Sequence, residues 1–250
     1  MSRALELVVI NLERSVDRRA AMADQLERLG LPYRFFKAVD ASKGEHLTFE
    51  AYDPAILQRK GRRPLAPGEI GVAASHAALW QQCIDENRPL IVMEDDIAVE
   101  ERFRNAARIV EPLLREYPFI RLFGLVERPM TELRVADDDF HVVRYARGPL
   151  GLQCYAIAPA AAGKLLKHLA PLVEPIDDFV DRFWIHSVMS VGLLPYAVSD
   201  APSVANRSTI ETSRRNYRRS LNERAKREYF RMGDNIARLR ANLVWRLRGS

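Results

Sequence analysis

At 250 residues the chain is long enough for one large α/β domain or two small ones, and 48% hydrophobic with 28% charged residues is an ordinary globular composition that argues against a disordered chain. No window approaches the roughly eighteen uninterrupted apolar residues of a membrane-spanning helix. The net charge of +5 is uneven: residues 212–250 hold 12 Arg or Lys against 3 Asp or Glu, a local +9, so the first 211 residues carry −4. Two cysteines far apart, Cys83 and Cys154, fit neither a zinc spacing nor a disulfide framework and are expected as buried thiols. The opening stretch has too short an apolar run for a signal peptide and carries Glu6, so a cytoplasmic location is expected.

Glu6-Leu-Val-Val-Ile-Asn11 reads as a buried first strand, followed by a polar turn. A helix is expected from Asp17 to Leu29, with Met22, Leu26 and Leu29 at helical spacing, stopped by Gly30 and Pro32. Residues 33–39 give a second strand, and this β-α-β start predicts a mainly parallel sheet. Residues 41–65 are a polar excursion with a basic loop at 59–63. Pro67 opens a long helix to about Asn87, and residues 89–93 form a short, wholly apolar strand of the kind found inside parallel sheets. Further strands are expected near 119–123, 142–145, 152–158 and 194–198, with helices at 159–169 and 178–186. After Thr212 the chain is basic and helical in character, which divides it into a domain over 1–211 and an extension over 212–250.

The strand at 89–93 ends in Glu94-Asp95-Asp96. Adjacent carboxylates raise one another's pKa unless a cation neutralises them. In open α/β sheets ligands gather at the carboxyl ends of the strands. A hard divalent cation there takes one or two carboxylates plus phosphate oxygens. The pattern therefore points to a metal–diphosphate site, with a solvated acidic turn as the alternative. Gly71 inside the long helix costs about 1 kcal/mol relative to Ala. That cost implies close approach by a ligand or by another backbone, with Ser75 and His76 nearby. A second acidic run, 137–139, follows no buried strand and reads as a solvated loop.

These residues resemble glycosyltransferase family 25, the lipooligosaccharide-biosynthesis family that also includes collagen galactosyltransferase domains. The resemblance rests on Val9-Ile-Asn-Leu12 with Arg14 and Arg18-Arg19, Phe36-Lys-Ala-Val-Asp-Ala41, Leu65-Ala-Pro-Gly-Glu-Ile-Gly71 with Ser75-His76 and Trp80, and Ile91-Val-Met-Glu-Asp-Asp96. Looser agreement follows at Gly151–Tyr155, Glu174-Pro-Ile-Asp177 and Arg207-Ser-Thr-Ile210. The resemblance implies an α/β, GT-A-like fold with a Rossmann-type, mainly parallel sheet flanked by helices. It also implies inverting transfer of a sugar, commonly galactose, from a UDP-sugar to a lipopolysaccharide or lipooligosaccharide core.

On that footing Asp95 and Asp96 are the candidates to hold Mn²⁺ or Mg²⁺. Asn11, Arg14, Ser75, His76, Glu94 and Asp95 are the candidates for the donor pocket, although Arg14, Arg18 and Arg19 also suit an ordinary helix start, which is the reading preferred for Arg19. An inverting transfer needs a general base. Asp177 best matches the family pattern, with Asp181 as the second catalytic candidate, while Asp178 and Asp181 also suit a helix start. The basic, amphipathic tail suits an anionic inner-membrane surface, where a lipid-linked oligosaccharide acceptor is found, or else packs on the body. No nucleic-acid motif accompanies its charge. A non-catalytic membrane-associated scaffold and a metal-dependent phosphotransferase are the competing readings.

Overall fold

A computed structural model describes residues 5–201 and 221–248. Strand β1 (Glu6–Asn11) alternates its side chains between two covered faces, which is why it reads as one apolar run. Leu7 and Val9 join the core under helices α1 (Val16–Arg28) and α4 (Phe103–Leu113). Val8 and Ile10 join the core under α3 (Pro67–Asp85) and α5 (Pro159–Leu169). β2 (Tyr33–Lys37) and β3 (Leu90–Glu94) flank β1 in parallel, with Val8 opposite Arg34 on one side and Val92 on the other.

The sheet continues through β8 (Cys154–Ile157), β5 (Phe119–Arg121), β9 (Val191–Leu194), β7 (His141–Tyr145) and β6 (Met130–Val135), in the order β2-β1-β3-β8-β5-β9-β7-β6. Six of these eight strands point the same way; β8 and β7 run against them. The helix–sheet–helix layering and mostly parallel strand direction agree with the expected Rossmann-type, GT-A-like class. A short pair, β4 (Ile97–Val99) with β10 (Val198–Asp200), sits beside the end of β3.

Several bounds differ from expectation. The helix expected at 178–186 is two pieces, α6 (Ile176–Val180) and α7 (Phe183–His186). The strand expected at 194–198 is split into β9 and β10 around Pro195, which has no N–H to donate to a ladder. The 41–65 excursion holds two 3₁₀ turns and α2 (Pro54–Arg59). Cys83 and Cys154 are buried and unpaired, as expected. The 137–139 run is a turn in which Asp137 accepts from the backbone N–H groups of Asp139 and Phe140.

Gly71 resolves to the second of its two expected causes. A Cβ there would lie 2.8 Å from the Val39 carbonyl oxygen, just past the end of β2. Ser75 completes the same joint, accepting from the Val39 N–H and donating to the Gly71 carbonyl. Gly71→Ala should therefore destabilise the protein by about 1–3 kcal/mol through backbone overpacking, despite alanine's better helix propensity. Urea unfolding checks this, and an unchanged or higher midpoint contradicts it.

After the undescribed stretch, which contains both the 211/212 boundary and the Arg207–Ile210 block, α8 (Leu221–Arg248) is helical as expected. It docks through its polar face. Asp234 pairs with Arg182 and lies 3.8 Å from Arg62, and both arginines also pair with Glu174. Asn242 donates to the Ala146 carbonyl, and the Arg144 guanidinium lies 4.1 Å from the centre of the Trp245 ring. Tyr229, Met232, Ile236, Leu239, Leu243 and Leu247 form an outward apolar stripe, each about half exposed or more.

Candidate active site

The site lies where β1 and β3 end. Asn11 closes β1, Glu94 closes β3, and Asp95 and Asp96 form the tight turn from β3 into β4. Because this edge receives the carboxyl ends of parallel strands, three acidic side chains emerge together beside Asn11. Asn11 donates to Asp95 at 2.6 Å. Arg18, from the first turn of α1, approaches Asp95 at 3.1 Å and Asp96 at 3.9 Å. Arg18 was legible only as part of an arginine pair; its position opposite the acidic turn depends on how α1 packs. Its neighbour Arg19 stacks on Phe35 instead, a packing role.

One arginine does not balance three carboxylates. Burial, followed by the neighbouring negative charges of Asp95 and Asp177, pushes Glu94 up to about 7. Burial and the charges of Glu94 and Asp95 push Asp96 to about 7 as well. Burial also raises Asp95, against the opposing pull of Arg18 and Asn11.

Beneath Glu94 lies a buried aromatic group. Trp80 Nε1 donates to the Tyr155 hydroxyl at 2.9 Å, and that hydroxyl is 2.8 Å from His76 Nδ1. The indole N–H can only donate, so the hydroxyl hydrogen is available to His76 Nδ1. This leaves the His76 proton on Nε2, 3.5 Å from Glu94. Burial lowers the His76 pKa to about 3, against the opposing charge of Asp177, so the ring is neutral. Tyr155→Phe strands two buried donor–acceptor atoms and should cost about 2–3 kcal/mol. Chemical denaturation measures this, and an unchanged midpoint contradicts it.

Asp177 and Asp181 play different parts. Asp177, on α6, is half-buried, influences both Glu94 and His76 electrostatically, and accepts a long 3.5 Å contact from the Gly151 N–H. Asp181 is buried, ion-paired to Arg121 of β5, and accepts from the Leu150 N–H at 2.9 Å. It packs directly on Gly148, where any Cβ would overlap its carboxylate. Asp181 therefore holds the 148–151 loop. The two remaining expected residues face elsewhere. Arg14 pairs with Asp40 and donates to Ser42 at the exit of β2. The Ser75 hydroxyl is engaged by backbone on both sides.

Asn11 Oδ1, His76 Nε2, Asp96 Oδ1 and Gln153 Oε1 are all buried without a hydrogen-bond partner. Native proteins leave few such atoms, and these four gather around the end of β3; the Gln153 carbonyl accepts from the Glu94 N–H. Among the described residues no three His, Cys, Asp or Glu side chains form a complete metal cage. A Mg²⁺-type ion carried in with phosphates requires only one or two carboxylates. Asp95 and Asp96, with the unpartnered Asp96 Oδ1 between burial and repulsion, fit that lesser demand.

The family model described as "Glycosyltransferase family 25 (LPS biosynthesis protein)" matches residues 4–180. The chain belongs to glycosyltransferase family 25. A family 25 member from Anopheles gambiae is 37% identical over 188 residues, covering 70% of this chain and 31% of its own. Procollagen galactosyltransferase 2 of Mus musculus is 33% identical over 104 residues, covering 40% and 17%. Lipooligosaccharide biosynthesis protein lic2B of Haemophilus influenzae is 33% identical over 94 residues, covering 37% and 34%. The chain thus spans about a third or less of these relatives' length. The family 25 match includes the acidic turn, the His76–Tyr155 pair and Asp177, and ends just before Asp181.

Proposed function

We propose that this chain is an inverting glycosyltransferase that moves a hexose, most directly galactose, from a UDP-sugar to a hydroxyl of a lipid-linked, lipopolysaccharide-core-type oligosaccharide. The observation carrying the reading is the set of unpartnered buried polar atoms around Glu94-Asp95-Asp96, with Asp177 within electrostatic reach. The choice of galactose and of the acceptor draws on the names borne by the mouse and Haemophilus relatives.

Asp96 and Asp95 would hold Mn²⁺ or Mg²⁺, which supplies charge neutralisation at the departing diphosphate. Arg18 adds positive charge at the same turn. Asn11 and the His76 Nε2–H offer groups to the donor, and Glu94 orients His76. Asp177 takes the proton as the acceptor oxygen bonds to the anomeric carbon and the bond to UDP breaks. Asp181 and Arg121 keep the 148–151 loop in register with Asp177.

The outward stripe of α8, flanked by exposed Lys226, Arg231, Arg240 and Arg246, suits peripheral contact with an anionic membrane at the cytoplasmic face. Among the described residues no helix is long and apolar enough to cross a membrane.

The test is UDP release from UDP-galactose, UDP-glucose and UDP-N-acetylglucosamine, with Mn²⁺, in the presence of truncated lipooligosaccharide cores. Acceptor-stimulated release from one donor supports the proposal. Phosphate release from simple esters without any sugar donor favours a phosphotransferase, and neither activity favours a scaffold.

A further inference from the structure

A cavity of about 430 Å³ lies between the body and α8. Asp178 and Asp181, next to and four residues beyond Asp177, line it together with Gly148 and Leu150. The other walls are rich in arginine. Some of these charges are already matched: Arg62 and Arg182 pair with Glu174, and Arg63 makes a two-pronged contact with Glu69. Arg147 and Arg238 are different. Arg147 is exposed and pairs with no carboxylate among the described residues, while Arg238, half-buried on α8, donates to the neutral Asn235 side chain and feels the charge of Asp234, which Arg182 already holds.

A third arginine lies within electrostatic reach of Arg238. Arg128, in the loop after β5, is half-buried with its Nε unpartnered. Burial first, then the positive charges of Arg147 and Arg128, lower the pKa of Arg238 against the opposing pull of Asp234; Arg147 and Arg238 both line the cavity. Two like charges facing one cavity, Arg147 from a loop and Arg238 from the docked helix, are relieved by an anion between them. Planar, forked guanidinium groups suit a phosphate or carboxylate.

We propose that Arg147 and Arg238 form a subsite for an anionic substituent, a phosphate or carboxylate, on the acceptor sugar, in the cavity whose lining includes Asp178, the neighbour of Asp177. The acceptor role rests on the glycosyltransferase reading; the anion site does not. The charged substituent sits between body and α8, so the helix that faces the membrane also completes acceptor recognition. The apolar stripe of α8 points away from the cavity and leaves the subsite open to a soluble probe.

The experiment titrates the full chain, saturated with UDP and Mn²⁺, with glucose 6-phosphate, glucuronate and glucose, following binding by ligand-observed NMR. The same titrations are repeated on Arg147→Gln and Arg238→Gln. The expected result is binding of at least one charged sugar about tenfold or more tighter than glucose, reduced about tenfold in each variant. Tighter binding of the phosphate or of the carboxylate identifies the substituent. Equal binding of charged and neutral sugars, or unchanged binding in both folded variants, overturns the subsite. Displacement of the probes as UDP is raised also overturns it, by assigning the arginines to the diphosphate. If UDP itself does not bind while the charged probes still require the arginines, the donor reading fails and the anion site stands.

Discussion

Replacing Asp177 with Asn is expected to lower sugar transfer by about 10²–10⁴-fold while leaving donor affinity nearly unchanged. The asymmetry follows from placement. Asp177 is half-buried on α6, and among the described residues its carboxylate accepts only the long contact from the Gly151 N–H, which leaves it free to meet an acceptor hydroxyl. Asp181 has no such freedom, because Arg121 and the Leu150 N–H hold its two oxygens and Gly148 covers it. Asp181→Asn should therefore disturb the 148–151 loop and lower stability along with activity. Steady-state kinetics beside a thermal melt separate the two variants. Equal loss of stability in both, or full turnover by Asp177→Asn, contradicts the assignment.

Asp96→Asn is expected to abolish metal-dependent donor binding and to make the metal-free protein more stable, by about 2 kcal/mol or more at pH 8. Burial and the charges of Glu94 and Asp95 raise the Asp96 pKa from 3.8 to about 7. As pH rises past 4 the unfolded chain loses this proton first, while the folded chain keeps it until about 7. The folded state thus binds more protons across that window, and its stability falls as pH rises from about 4 to 7, with the full penalty above 7. Glu94, raised from 4.5 to about 7, adds to the same slope. His76, lowered from 6.5 to about 3, acts oppositely, losing stability as pH falls below 6.5, and its contribution is common to wild type and variant. Urea unfolding in EDTA at pH 5 and pH 8 measures the difference. A variant less stable than wild type at pH 8 contradicts the claim that the acidic turn is held under charge strain for a ligand.

Part of this site was legible in the sequence because its signals are local. A five-residue apolar strand running straight into three carboxylates needs no tertiary knowledge to be read as a sheet-end site, and β1 and α3 follow from the same local patterns. Gly71 was legible as a close approach but not as to what approaches, since Val39 comes from a different element. Helix α4 was missed although Phe103, Ala106, Val110 and Leu113 repeat at helical spacing, because dense charge around 100–104 and Pro112 obscure its ends. β6 was missed because it is an edge strand with five of six residues exposed, leaving no apolar alternation. The Arg121–Asp181 pair spans 60 residues and the Tyr155–His76 contact 79. Such pairs are set by how helices dock on the ordered strands, which no local pattern encodes. The tail's inversion was equally hidden: composition shows an amphipathic basic helix, but the ion pairs of Asp234 decide that its polar face turns inward.

The central claim is that Glu94-Asp95-Asp96 receives a nucleotide sugar together with a divalent cation. Calorimetric titration of UDP-galactose, UDP-glucose and UDP-N-acetylglucosamine tests it most directly, each with Mn²⁺ and with EDTA, on wild type and Asp96→Asn. The account predicts that at least one donor binds wild type with Mn²⁺, and that binding disappears with EDTA or in the variant. Donor binding that is indifferent to the metal and to Asp96, or no binding of any UDP-sugar, would contradict it.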